Sequence, residues 1–425
     1  MAWTETFTMK LANLFPAGVD TALRTLAENK QIDRLIHTYT KRKLSPINQL
    51  ERLLIVSDTN IGDAVFLQSS ARILKHYFPD CIVDYIYQKS AHPLIRHNPY
   101  IDHAFPYFKD TNFTSPRNSE SIVNLVAKHR YDLIINLYPF FSNGALNHAS
   151  CPVIIPYRFV ANIVANTRAH VKEPPHVLLQ LYNMIHHMVF LLPTSARPGK
   201  KKLPFPGNSL YLSNKSLVHA QALLGQLGLH KENPILFLNP DTSSQYTLIP
   251  LSLQIAIVKQ LLKRHRTIQF LIGPGFTYPD VERALRNTFS KKYRDRVFFL
   301  PRSVSIDTYA VLIDMADVFI TGDTAQMHVA AAFKKRVGGG TPFRNTTALI
   351  GIFGATNSSI YGYDSRSRYH LASNQNAPSF AVSGTPECKN LTCIHKTRKK
   401  CPVVNCFNGL KLQNIIQTID DQFDI

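Results

Sequence analysis

Short apolar runs recur along this chain, and longer stretches with helical spacing of apolar residues follow them. Leu53-Leu-Ile-Val56 reads as a buried strand, and Asp63 to Tyr77 as the helix after it. Ile82 to Tyr87 is a second strand and Leu133-Ile-Ile135 another, with helical stretches near Ser90 to His97 and Glu120 to Lys128. A break rich in Pro and Lys interrupts the pattern and contains Lys200-Lys-Lys202. Alternation then resumes: strand Ile235 to Leu238, helix Leu251 to Arg264, strand Ile268 to Ile272, short strand Val297 to Leu300 and helix Ser305 to Met315. Val318-Phe-Ile320 is the next strand, and Leu349 to Phe353 a further one. Such alternation predicts an α/β fold, with helices on both faces of a parallel sheet, here twice over. Two doubly wound, Rossmann-like halves in tandem are expected to leave a cleft at the carboxyl ends of their strands.

The predicted boundaries are a helical N-terminal extension over 1–50, a first Rossmann-like domain over 51–192, a linker over 193–207 and a second Rossmann-like domain over 208–425. Within the extension, Leu23 to Ile36 has helical spacing, and Lys41-Arg-Lys43 follows it. A helix packed on its own domain is the plainer expectation; one resting on a membrane surface is the sharper one.

A chain of 425 residues suits two domains. An apolar content of 45% with 18% charged residues fits a globular protein. The formal charge of +20 favours an anionic partner: nucleic acid, an acidic membrane surface or a phosphorylated substrate. Apolar runs fall short of the roughly 18 residues of a spanning helix, and Met1 to Asp20 lacks the order of a secretory signal. A cytoplasmic protein is therefore expected. No helix-turn-helix, zinc-finger or RNA-stacking signature accompanies the charge, so nucleic acid is not the expected partner.

Chemistry concentrates at two strand ends. Val318-Phe-Ile-Thr-Gly322-Asp-Thr-Ala-Gln326-Met-His328 reads as strand, tight turn and helix start, with Asp323 as the expected N-cap. Free amides and the dipole at such a junction suit phosphate. Many junctions of this kind bind nothing, and a lone His such as His328 is more often a packed residue than a catalyst. In the first half, Gly62-Asp63 places a carboxylate at the carboxyl edge of the sheet, with Asp58 as a competitor. Asp63 is a candidate general base, or else a plain helix cap. A base on one wall of a cleft and an anion site on the other suit group transfer from a nucleotide-linked donor. Gly273-Pro-Gly-Phe-Thr-Tyr-Pro-Asp280-Val-Glu282 is a Gly-rich turn lacking the P-loop ending, and Asp280 or Glu282 is a candidate for ribose hydroxyls. No Asp-x-Asp pair occurs, so no metal-bridged diphosphate is expected. Cys388, Cys393, Cys401 and Cys406 form a C-x4-C-x7-C-x4-C cluster, for which structural thiols are the default and zinc the alternative. Lys396, Arg398, Lys399 and Lys400 make the same loop basic.

In order, several motifs resemble glycosyltransferase family 9, the ADP-heptose:lipopolysaccharide heptosyltransferases. They are Arg52-Leu-Leu-Ile-Val with Asn60-Ile-Gly-Asp-Ala-Val; Phe78-Pro-Asp; His97-Asn-Pro-Tyr-Ile-Asp102; Leu238-Asn239-Pro; Gly322-Asp-Thr-Ala-Gln-Met-His-Val-Ala-Ala-Ala; and Ile352-Phe-Gly-Ala-Thr-Asn. The late cysteines are similar to a habit of the family. The resemblance implies a GT-B fold and an inverting transfer from a nucleotide sugar without a metal. It implies Asp63 as base, with Gly62 in its turn. Asn239, Gly273, Gly322, Asp323, Thr324, Ala325, Gln326 and His328 would lie at the donor, and Glu282 or Asp280 at the ribose. The implied acceptor is the lipopolysaccharide core at the inner face of the bacterial inner membrane, an anionic partner that suits the charge. Ala325 stands where the family has Gly, and Asp241 to Leu251 lacks the family's phosphate-binding cation. The stretch Phe333 to Ala348 is longer than the family's link and carries Lys334, Lys335, Arg336 and Arg344, so Arg344 is expected to supply that cation. A different nucleotide sugar, or a paralogue that binds glycan or nucleotide without turnover, are the alternatives.

Overall fold

The structure is a computed structural model. It describes residues 30–57, 61–107, 123–137, 146, 149–154, 176–197, 199, 201–230, 232–354, 356, 358–366, 377–383 and 406–422. The chain divides into two compact units: Met1–Thr59, Ser70–Lys89 and Tyr100–Phe205 form the first, and Asn60–Ser69, Ser90–Pro99 and Pro206–Ile425 the second.

The first unit holds a parallel sheet of β1 (Arg52–Ser57), β2 (Ile82–Gln88), β3 (His103–Tyr107), β4 (Leu133–Asn136) and β5 (Val153–Ile154), in the order β3-β2-β1-β4-β5. β1 pairs with β2 from Arg52 opposite Ile82 to Ser57 opposite Tyr87, and β4 flanks it on the other side. β1 and β4 are buried over almost their whole length, as strands covered on both faces are. At the amino edge of this sheet the buried Asp84 carboxylate takes hydrogen bonds from Arg52, His103 and Tyr131. The helices α1 (Lys30–Leu44) and α5 (Val177–Leu191) belong to the same unit.

The second unit is built on a six-stranded parallel sheet: β7 (Ile235–Leu238), β8 (Gln269–Ile272), β9 (Val297–Phe299), β10 (Val318–Gly322), β12 (Ala348–Phe353) and β13 (Ser379–Ser383), in the order β13-β12-β10-β7-β8-β9. Strand order reverses between β7 and β10, where Val318 lies opposite Leu236 and Ile320 opposite Leu238. Its core gathers Leu236, Leu238, Phe270, Ile272, Ile320 and Ile350 from the sheet with Ile257, Leu261, Leu285 and Phe289 from the helices. These last come from α7 (Leu251–Arg264) and α8 (Pro279–Phe289); α6 (Asn214–Leu227), α9 (Ile306–Met315) and α10 (Ala325–Ala331) belong to the same unit. A separate two-stranded sheet pairs β6 (Ser209–Leu212) with β11 (Phe333–Arg336).

The expected mixed α/β architecture with parallel sheets is present, and several elements differ in detail. The helix predicted over Asp63–Tyr77 is two, α2 (Ile61–Leu67) and α3 (Ser69–Tyr77). Gln68 separates them: its side chain donates to Val65 O, and the hydroxyl of Ser69, the first residue of α3, donates to Phe66 O, both competing for helix carbonyls. Ser90–His97 is a 3-10 turn followed by α4 (His92–Ile95), a single short turn with Pro93 at its start. α5 escapes a periodicity argument because it is apolar nearly all round. Among the described residues no helix is long and apolar enough to cross a membrane.

Candidate functional site

Open parallel sheets bind ligands beyond the carboxyl ends of their strands where strand order reverses. In the second unit that point lies between Asn239, which follows β7, and Gly322, which ends β10. Asn239 ties the two strands together. Its N–H donates to Ile320 O (2.8 Å), and its Nδ2 to Thr321 Oγ1 (3.0 Å), Asp241 O (3.0 Å) and Thr324 Oγ1 (3.4 Å). Tyr309 Oη donates to Asn239 Oδ1 at 3.1 Å. Gly273 and Gly322 are both sterically required here. A Cβ on Gly273 would meet Tyr309 Oη at 2.6 Å, and one on Gly322 would meet Thr247 O at 2.7 Å. The hydroxyl-rich loop after Asp241 therefore crosses Gly322 closely, and Thr242 Oγ1 in it bonds Thr247 Oγ1 at 2.7 Å.

The N-cap of α10 is Thr324, not Asp323, and its side chain makes no capping bond, because its hydroxyl faces Asn239 and Thr321 instead. His328 is buried on this helix. Its Nδ1 lies 2.9 Å from Tyr363 Oη, and its ring packs 5.3 Å from that of Phe66 on α2. α2 belongs to the same unit and lies against α10. A Cβ on Gly62 would stand 3.1 Å from Ala325 Cα and 3.3 Å from His328 Cδ2. Gly62, Asp63, Ala325 and His328 are thus brought together, with Asp63 in the first turn of α2. Ala325 and Gln326 open α10, and the Ala325 backbone is in close packing with α2.

The loop after β8 is clamped from two sides. Glu282 accepts from Gly275 N–H and Arg302 Nε through Oε2 and from Arg286 Nη2 through Oε1, each at 3.1 Å. Burial works against its charge, but these hydrogen bonds outweigh it and hold the carboxyl below its ordinary value. Glu282 is thereby a brace for the loop rather than an open acceptor for ribose. Asp280 stays exposed, paired at 3.3 Å with Arg283. Asp241 is buried and accepts from Thr277 N–H (2.9 Å) and Tyr278 N–H (3.2 Å), so its carboxylate faces amides of the same loop.

Arg344 does not fit the donor role expected of it. Its Nη2 bonds Asp317 Oδ1 at 2.8 Å and its Nη1 bonds Met315 O at 3.1 Å. Asp317 precedes β10, so Arg344 sits at the amino edge of the sheet, about 16 Å of strand away from Gly322. The stretch from Phe333 to Ala348 folds back on itself instead. Asn345, at φ 53°, exchanges hydrogen bonds with both backbone groups of Lys334, and Asp314 accepts the Arg344 and Asn345 amides. Lys334 is buried, with Nζ donating to Ala330 O at 2.6 Å, and burial brings its pKa down to about 8 although Asp314 opposes this.

Arg302 was not singled out by sequence reasoning. Its signal was positional: it stands two residues beyond the buried Leu300 that follows β9, at the same carboxyl edge. Cys388, Cys393 and Cys401 lie outside the described residues, while Cys406 packs against the core of the second unit.

The sequence profile of glycosyltransferase family 9 (heptosyltransferase) matches residues 124–389, more than half of the chain. The chain belongs to glycosyltransferase family 9. Comparison with curated proteins finds no match. Among solved structures, the chain is similar to a family 9 glycosyl transferase from Veillonella parvula, with a TM-score of 0.62 at 14% identity, covering 88% of this chain and 97% of that one. It is also similar to ADP-heptose LPS heptosyltransferase II of E. coli (TM-score 0.59, 15% identity, 87% and 98% covered). A third is E. coli heptosyltransferase WaaC with ADP (TM-score 0.53, 14% identity, 88% and 100% covered). This family 9 chain is a glycosyltransferase of GT-B-like fold.

Proposed function

We propose that this glycosyltransferase moves a heptose, or a closely related sugar, from an ADP-linked donor to the lipopolysaccharide core. The observation that carries the reading is the seating of α2, with Asp63 in its first turn, against α10 at the strand-order reversal of the second unit. In this scheme Asp63 takes the proton of the acceptor hydroxyl. The hydroxyl oxygen forms a bond to the anomeric carbon, the bond from that carbon to the diphosphate oxygen breaks, and ADP leaves with the electron pair. Attack opposite the leaving group inverts the anomeric centre. The backbone amides that open α10, after Asp323 and Thr324, would donate hydrogen bonds to the departing diphosphate. The reading needs no metal, in keeping with a sequence that lacks an Asp-x-Asp pair. ADP is favoured as the nucleotide because a similar fold, that of WaaC, was solved with ADP.

The +20 charge supports an acceptor held at an anionic surface, the inner leaflet of a bacterial inner membrane. α1 carries Lys41, Arg42 and Lys43 in its last turn, all exposed, and fits the same partner.

The test is Asp63→Asn. Loss of a general base lowers turnover by about 10²–10⁴-fold. We expect that loss in ADP released from ADP-heptose in the presence of acceptor, with ADP affinity retained. Unchanged turnover removes Asp63 from the role. Release of a different nucleotide from another sugar donor redirects the reading to that donor.

A further inference from the structure

Phe276 is 52% exposed, one of two strongly exposed phenylalanines among the described residues. Its surroundings are the opposite of loose. Pro274 and Gly275 before it are buried. Gly275 N–H is held by Glu282, and the Thr277 and Tyr278 amides by the two oxygens of Asp241. Gly275 also has no room for a side chain, since a Cβ there would meet Tyr278 O at 2.6 Å. Two buried carboxylates from different parts of the chain therefore fix the backbone on both sides of a ring that is left facing solvent. The loop follows β8, whose Ile272 lies opposite Leu238 of β7, so it stands at the same carboxyl edge as Asn239. Asp241, two residues beyond Asn239, makes the physical link between the loop and the strand-order reversal.

An aromatic ring held in water on a rigid loop is a platform for a flat apolar partner, because little ordering is left to be done on binding. Nucleobases stack on such rings whatever their edge pattern. We propose that Phe276 stacks against the nucleobase of the nucleotide-sugar donor and is a binding determinant that Asp280 and Glu282 do not provide. This rests on the reading of the chain as a nucleotide-sugar transferase and adds the residue that holds the base. Glu282 and Asp241 act on the ligand only through the loop, as positioning residues.

The experiment measures ADP, UDP and GDP binding by titration calorimetry to the full chain and to Phe276→Ala and Phe276→Tyr. Phe276 is exposed, so both variants are expected to melt as the wild type does. Phe276→Ala should weaken the preferred nucleotide by about tenfold, and Phe276→Tyr should restore most of the affinity. Phe276→Trp supplies a second readout, because Trp3 is the chain's single tryptophan. The introduced indole should be quenched as nucleotide is added. Nucleotide binding by wild type that is undiminished in Phe276→Ala, or an indole indifferent to nucleotide, overturns the stacking role and leaves the transferase reading standing. Failure of the wild type to bind any of the three nucleotides overturns both.

Discussion

A Cβ at Gly62 would press to 3.1 Å from Ala325 Cα and 3.3 Å from His328 Cδ2, so the close approach of α2 and α10 leaves no room for a larger side chain there. Gly62→Val overpacks that contact and should cost about 1–3 kcal/mol, read as a lowered denaturation midpoint. An unchanged midpoint would mean that the two helices do not need their close approach. Lys334 makes a different demand. With its folded pKa near 8 against an ordinary 10.5, the folded state resists the charged form. Below pH 8 both folded and unfolded chains are protonated at this residue, and the penalty is fully present. Between pH 8 and 10.5 the folded form loses its proton first, so stability relative to Lys334→Met should rise with pH across that window. The change is on the order of 3 kcal/mol, measured by urea unfolding of the two proteins at pH 7.5 and 10.5. A constant difference between them would show that Lys334 is not held in the folded state as described. Individual residues were unevenly legible in the sequence. Gly62 and Gly322 were marked by their strand-to-helix turns. The pairing of Glu282 with Arg302 and of Arg344 with Asp317 was not, because an ion-pair partner distant in sequence leaves no local trace.

Elements were read best where one signal was undiluted. Helix α7 runs from Leu251 to Arg264 as its spacing predicts, and β7 from Ile235 to Leu238 as its apolar run predicts. β11 was missed because Phe333-Lys-Lys-Arg336 is too charged to read as a strand. Pairing with β6 and burial of Lys334 against Ala330 O make it one. The loop between β8 and α8 shows the same limit: its glycines were visible in the sequence, but its clamps were not. Glu282→Ala removes the acceptor of Gly275 N–H and frees Arg302. It should weaken nucleotide affinity several-fold while leaving turnover at saturating donor near wild type, since the loop positions the ligand and does not touch the reacting atoms. A fall in turnover with unaltered affinity would place Glu282 at the chemistry instead.

At the scale of the whole molecule, alternating apolar runs were enough to anticipate two parallel sheets. They could not anticipate that Asn60–Ser69 and Ser90–Pro99, which lie between strands of the first sheet in sequence, pack with the second unit. Those contacts join residues more than 200 positions apart, such as Arg96 and Asp307 at 3.4 Å. That membership is what places Asp63 in the same compact unit as Asn239, Thr324 and His328. This arrangement is proposed to transfer a sugar. Its most direct test is mass spectrometry of a lipopolysaccharide-core acceptor incubated with ADP-heptose and either the wild type or Asp63→Asn. One heptose added with release of ADP is expected of the wild type, and neither of Asp63→Asn. Heptose added equally by both proteins, or by neither, would contradict the proposal.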